Sequence, residues 1–310
     1  MAGPIWFDDI ETLGRMAPGR AAVKLREIGE IDAAAALEVA GTETHRPTTF
    51  GEHGGWWPFQ DKPWQYNAHA FGYLGFAQPG SDSLPIQHAG NITADATLKN
   101  GRLRITLDQL RVASYPGRGT HRILFDFYAQ NQVPGATEHL HFNSTFRIRE
   151  GQQAGIIGYP IFIGLNVGSE GVAFKCFTVN VANDEDEALL GMLESDVFRA
   201  GLKLATAAQP AIAPLSGMAV ALTKNIAGRH RNVPVQDFYM GLDFTNRATG
   251  ARLAEGSYIA VQIPDTFERE WDWNEWAYLP TSGQIINKNR VTEIIPYNYV
   301  IFGVNRYSEG

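Results

Sequence analysis

The chain has 310 residues, 44% of them hydrophobic, 19% charged and 11% aromatic, enough for one large or two modest folded domains. Its 26 basic residues are outnumbered by 33 acidic ones, for a net charge of −7, so no positive field gathers phosphates and nucleic acid is excluded as a main partner. A single cysteine, Cys176, excludes an internal disulfide, and no Cys-x-x-Cys or Cys/His spacing suggests structural zinc; a reducing, cytoplasmic location is expected.

Residues 1–90 are expected to form a mixed helical and irregular region packed on the remainder. The opening Met1-Ala-Gly-Pro-Ile-Trp-Phe-Asp-Asp9 carries an acid pair where a secretory signal has a basic end and an apolar run, so no signal is expected. Short helices are predicted over residues 21–28 and 33–39. The passage Gly54-Gly55-Trp56-Trp57-Pro58-Phe59 is too heavily punctuated for a regular helix.

From residue 91 to 310 the pattern turns to strands. Residues 92–98 and 103–112 flank Asn100-Gly101, the dipeptide best suited to a two-residue hairpin. Residues 123–129 and 140–149 are predicted as strands joined by a turn at Pro134-Gly135. Alternation in the second places Leu140, Phe142, Phe146 and Ile148 on a core face and His139, His141, Asn143, Thr145 and Arg147 on an open polar face. More deeply buried strands are predicted over residues 156–165 and 172–181, about a turn at 168–171.

A helical insertion is expected at about residues 184–228. Asn183-Asp-Glu-Asp-Glu187 opens its first helix, with Leu189, Leu190, Leu193, Val197 and Leu204 at helical steps and Asp184 and Glu187 at capping-box spacing. The second helix is predicted from about Pro214 to Gly228, with Leu215, Met218, Leu222 and Ile226 as its apolar stripe. The apolar stretch 211–222 is broken by Pro214 and Ser216 and falls short of the roughly 20 residues that span a bilayer, so no membrane partner is expected. Strands over 233–244 and 257–263 follow, with turns at 246–250 and Glu255-Gly256. An aromatic-rich hairpin about Thr281-Ser-Gly283 and a last strand through residues 297–302 close the chain.

Dense strands without regular strand-helix alternation predict a mainly β fold, an antiparallel β-sandwich with a two-helix insertion and an irregular N-terminal region. In strand density alone it resembles C2-like or immunoglobulin-like sandwiches. That resemblance carries no diagnostic motif and implies no function.

His139-Leu-His141 has the spacing by which cupin-like barrels and non-haem iron sites present two imidazoles to one divalent metal. Glu150 lies nine residues beyond His141, too far for the cupin pattern, and no His-x-Asp or His-x-Glu occurs. A third ligand would have to come from elsewhere in the chain, for instance His45, His53 or Glu138. The plainer alternative is two polar residues on the outer face of an edge strand. The acids of 183–187, with Asp237 or Asp243, have the oxygen chemistry for calcium, but acids at a helix start are already stabilised by the helix dipole. Cys176, on one strand face with Phe174 and Thr178, has no local base and is expected as a small buried residue. No Gly-x-Ser-x-Gly elbow, Walker loop or Gly-x-Gly-x-x-Gly occurs, so no nucleotide cofactor is expected.

Six of the seven tryptophans fall in two clusters, Trp56, Trp57 and Trp64, and Trp271, Trp273 and Trp276. In the second, indoles alternate with carboxylates, which suits a cationic peptide segment through charge and cation–π attraction; the alternative is rings plugged onto the rim of a core. The expected function is a non-enzymatic binding or assembly protein. It would recognise a peptide or protein partner through an aromatic-lined surface or an open strand edge, without a cofactor, and homodimerisation would cover such an edge. The competing expectation is a metal-dependent enzyme built on His139 and His141.

Overall fold

Strands β1 (Ala68–Leu74), β2 (Arg102–Val112), β3 (Thr120–Val133), β4 (Ala136–Arg149), β5 (Tyr159–Asn166), β6 (Gly171–Asn180), β7 (Val233–Asp243), β8 (Gly256–Ile263), β9 (Trp276–Leu279), β10 (Gln284–Asn287) and β11 (Tyr299–Arg306) make the chain mainly β in the computed structural model. Helices α1 (Pro18–Glu27), α2 (Ile31–Ala40), α3 (Asp196–Ala200) and α4 (Ile212–Gly228) accompany them. The structure describes residues 6–40, 62–76, 81–154, 156–186, 189–191, 196–245 and 250–309. None of its described helices is long and apolar enough to cross a membrane.

The larger sheet has the order Leu202–Lys203, β5, β2, β11, β8, β1, Gln87–His88, with Gln152–Gln153 added beside β2. The second has the order Ala251–Arg252, β7, β6, β3, β4, and the third β10, β9, Leu84–Pro85. Pairing is antiparallel except where Leu202–Lys203 joins β5 and Ala251–Arg252 joins β7.

The period of two in each strand divides its residues between different cores. On β3, Ile123, Phe125, Phe127 and Ala129 face one core, while Leu124 and Tyr128 face another with Trp6, Phe7 and the apolar residues of α4. On β11, Val300, Phe302 and Val304 enter the first core, and Tyr299 and Ile301 a third one beneath the small sheet. The two large sheets meet through aromatic rings, Phe127 against Phe162 at 6.3 Å and against Phe302 at 5.3 Å, and Phe174 against Phe302 at 5.6 Å. Much of both sheets is therefore covered on both faces, which is why several strands read as nearly continuous apolar runs.

The β3–β4 hairpin forms at Pro134-Gly135, with Gly135 in the left-handed region at φ 78° that the turn requires. The hairpin expected at Asn100-Gly101 does not form. Asn100 does adopt a positive φ of 56°, but residues 92–98 are a loop ending in the 3-10 turn Ala96–Leu98. The Asp95 carboxylate accepts from Thr97 N at 2.9 Å, a local bond that competes with strand pairing. Nor does one helix run through residues 184–204: a 3-10 turn at Asp184–Asp186 and the short α3 precede Leu202–Lys203, which joins the large sheet. Gly201, at φ 77° and close against the Pro160 carbonyl, ends α3. Glu187 and Leu193 lie outside the described residues.

Helix α4 falls where it is expected, but its buried face is Ile212, Ser216, Ala219, Val220, Thr223, Ile226 and Ala227, and Met218 is exposed. Two hydroxyls replace part of the apolar stripe because the surface beneath them is polar. A division at residue 90 also cuts through one sheet, since β1 pairs along its whole length with β8. Cys176 is fully buried in the first core, where loss of water pushes its thiol well above the usual range.

Candidate functional site

The strand face of β4 expected to be open is covered at His141 and Asn143, while Arg147 is exposed. His141 is buried, and its Nδ1 donates to Asp126 Oδ1 at 2.9 Å. Asn143 Nδ2 donates to Asp126 Oδ2 at 2.7 Å and to Thr223 Oγ1 at 2.8 Å, and the His141 backbone N–H donates to Ser216 Oγ at 3.2 Å. Trp6 stacks on the His141 ring at 5.8 Å, and Phe7 meets it edge-on. A polar network thus docks α4 and the N-terminal segment onto the sheet. His139 is half-buried, accepts from Tyr128 Oη at 2.7 Å, and is held below the usual histidine range mainly by burial.

The two imidazoles therefore turn to different protein partners. Glu138, on the opposite strand face, accepts from Asn131 Nδ2 at 2.7 Å and from the Gln209 backbone N–H; His45 and His53 lie outside the described residues. Among the described residues no three His, Cys, Asp or Glu side chains are grouped to hold a metal ion. The acidic segment does not converge on Asp237 or Asp243 either. Asp186 is buried against Arg229 and Asn232, Asp184 and Glu185 are exposed, and Asp237 pairs with Arg15 at 2.8 Å.

The described tryptophans of the two clusters are also not where a recognition surface would need them. Trp273 and Trp276 are buried in the third core, and Trp64 in the first. Trp271 is half-buried, stacked on Trp276 at 5.8 Å with planes 2° apart and edge-on to Trp273. Trp273 lies so close over β1 that a Cβ on Gly72 would come within 2.9 Å of the indole, and its Nε1 donates to Phe71 O at 3.1 Å. These rings seal the outer face of the large sheet rather than lining an open surface. Trp56 and Trp57 lie outside the described residues.

A concavity of about 610 Å³ opens beside this seal, on the outer face of β2, β11, β8 and β1. Its polar floor is built by a break in strand register. Gln109 pairs with Ile301 and Leu107 with Phe302, so Asp108 has no partner and bulges from β2; bulges re-aim a side chain in this way. Gly303 makes room for it, because a Cβ there would lie 2.5 Å from Thr106 Oγ1 and 2.8 Å from Asp108 Oδ2. The carboxylate accepts from Thr106 Oγ1 at 2.8 Å, from Ser257 Oγ at 3.2 Å and from the Gly158 backbone N–H.

All three donors are neutral, and burial holds the Asp108 carboxyl above its usual range. Burial, and then the Asp108 charge, likewise raise Tyr278, which stands on the wall. Leu74, Ile301 and Pro280 make the walls apolar, and Ile157, 95% exposed, forms the lip. Arg306 is turned towards Asp95 at 3.4 Å, Glu255 at 3.8 Å and the Thr97 carbonyl at 3.1 Å. Arg104, exposed at the mouth, forms no ion pair among the described residues.

The arrangement offers one desolvated acceptor at the bottom of an apolar-walled cleft and one available cation above it. The sequence carries a trace of this. In Arg102-Leu-Arg-Ile-Thr-Leu-Asp-Gln-Leu-Arg-Val112 the apolar positions shift from odd to even numbers across Asp108-Gln109, the signature of a bulge. Asp126, set among aromatic residues in Phe125-Asp-Phe-Tyr128, likewise marks a buried acid in need of partners. Comparison of the chain with protein-family models, curated proteins and solved structures finds no match.

Proposed function

We propose that this chain is a binding protein, an antiparallel β-sandwich of C2-like or immunoglobulin-like kind, that takes a peptide segment of a protein partner into the cleft over its larger sheet. The observation that carries this is Asp108, carried into an apolar-walled cavity by a strand bulge and a facing glycine, with only neutral donors around it. Perturbed carboxyls in clefts mark sites of recognition or chemistry. No second acid, histidine or cysteine accompanies Asp108 among the residues lining the cleft, which favours recognition.

The cleft replaces the tryptophan surface as the seat of binding, since the described rings of both clusters serve as core. It is also favoured over strand addition at β4, whose outer edge is occupied at His141 by Ser216 of α4. A cytoplasmic setting remains part of the proposal, on the single buried thiol.

Selection of a random peptide library on the wild-type protein is expected to yield binders that weaken by about tenfold or more on Asp108→Asn, as loss of a charged hydrogen bond implies. They should weaken similarly on Ile157→Lys at the lip. No enrichment, or binders indifferent to both substitutions, would overturn the assignment.

A further inference from the structure

Resting on the reading of the cleft as a binding site, we infer that its ligand is the side-chain ammonium of a lysine followed by a carboxylate on the same partner segment. The floor sets the head group. Asp108 Oδ1 already accepts from Thr106 and Oδ2 from Ser257, and a third bond comes from the Gly158 N–H. Neutral donors orient the carboxylate without neutralising it, so a desolvated negative charge faces the cavity. A ligand cation supplies what the protein withholds.

The same bonds select which cation. A guanidinium binds a carboxylate best through two parallel bonds to both oxygens, and here a hydroxyl already occupies a direction on each. A compact ammonium needs only one open direction. The apolar walls of Leu74, Ile301 and Pro280 suit a methylene stem, which a lysine side chain has and a chain N-terminus lacks. The Tyr278 ring adds an aromatic wall along the same path.

The mouth sets the second element. Arg306 is balanced by Asp95 and Glu255, whereas Arg104 is not, so a bare cation entering the cleft meets repulsion. A carboxylate carried by the same segment turns that repulsion into attraction. Arg104 and Asp108 lie four residues apart on β2, about 13 Å at strand rise, a span that a lysine side chain and the next residue's acid can bridge.

The probe is the blocked dipeptide acetyl-lysyl-aspartyl-amide, titrated calorimetrically into the full chain beside its norleucyl-aspartyl, arginyl-aspartyl and lysyl-asparaginyl counterparts and leucyl-aspartyl-amide with a free N-terminus. The lysyl-aspartyl probe is expected to bind about tenfold tighter than the norleucyl one and several-fold tighter than the other three. Asp108→Asn should abolish its advantage over norleucine, and Arg104→Gln its advantage over lysyl-asparaginyl.

Equal binding of the lysyl and norleucyl probes, or preference for the arginyl or free-N-terminal one, overturns the lysine inference and leaves the cleft a binding site. No binding by any probe at millimolar concentration overturns both. The probe comparison on wild type does not depend on how either variant folds.

Discussion

Asp126→Ala is expected to destabilise the protein by about 3–5 kcal/mol, the usual consequence of removing one member of a buried pair and leaving the other without its partner. Asp126 is fully buried, and each of its oxygens accepts a side-chain bond, one from His141 and one from Asn143. Its loss strands both donors beneath Trp6 and α4, where water cannot replace it. Asp126→Asn should be damaging too, since one acceptor becomes a donor facing either the His141 or the Asn143 donor. Thr223→Val, which removes a single bond from Asn143, should cost only about 1 kcal/mol. Urea denaturation of the three variants checks the ranking. A loss below about 1 kcal/mol for Asp126→Ala would mean that the network does not hold α4 to the sheet.

Phe127→Ala is expected to cost a similar 3–5 kcal/mol, for a different reason. This ring is fully buried where the two large sheets meet, with centroids of Phe125, Phe174 and Phe302 within 5.8 Å and Phe162 at 6.3 Å. Truncation opens a cavity that neighbours on three other strands cannot collapse into without moving whole sheets. Tyr239→Ala, at a site 59% exposed on β7, serves as the control and should stay within about 0.5 kcal/mol of wild type. Similar denaturation midpoints for the two variants would contradict the packing of the sheets against each other.

Much of this architecture is legible in local signals. Pro134-Gly135 marks its hairpin because proline presets one turn angle and glycine accepts the other, and the limits of α4 follow from its apolar period and Gly228. The face that α4 buries is not legible, because Ser216 and Thr223 point inward only to meet Asn143 and the His141 backbone, which belong to a distant hairpin. The false hairpin at Asn100-Gly101 has a similar origin. Ile92-Thr-Ala-Asp-Ala-Thr-Leu98 alternates like a strand, yet the Asp95 side chain takes a backbone N–H that a strand would have paired.

Trp271, Trp273 and Trp276 mislead in a related way, since an indole beside acids has the same sequence whether it faces solvent or roofs a sheet. Of the cleft, only the phase slip at Asp108-Gln109 can be seen in one dimension. Ser257, Tyr278 and Gly303 reach Asp108 through pairings between segments far apart in the chain, and no spacing rule connects them.

The most direct test of the cleft as a site for a cation is the pH titration of the Asp108 side-chain carboxyl by carbon NMR, alone and with the lysyl-aspartyl probe. Burial without a neighbouring cation raises its pKa in the free protein, and a bound ammonium, which favours the charged form, must lower it. By linkage, affinity for the probe then falls as pH drops through the free-protein value, where the carboxyl takes up a proton. The account predicts titration above the ordinary aspartate range in the free protein and a downward move on adding the probe. An ordinary value that the probe leaves in place would contradict it.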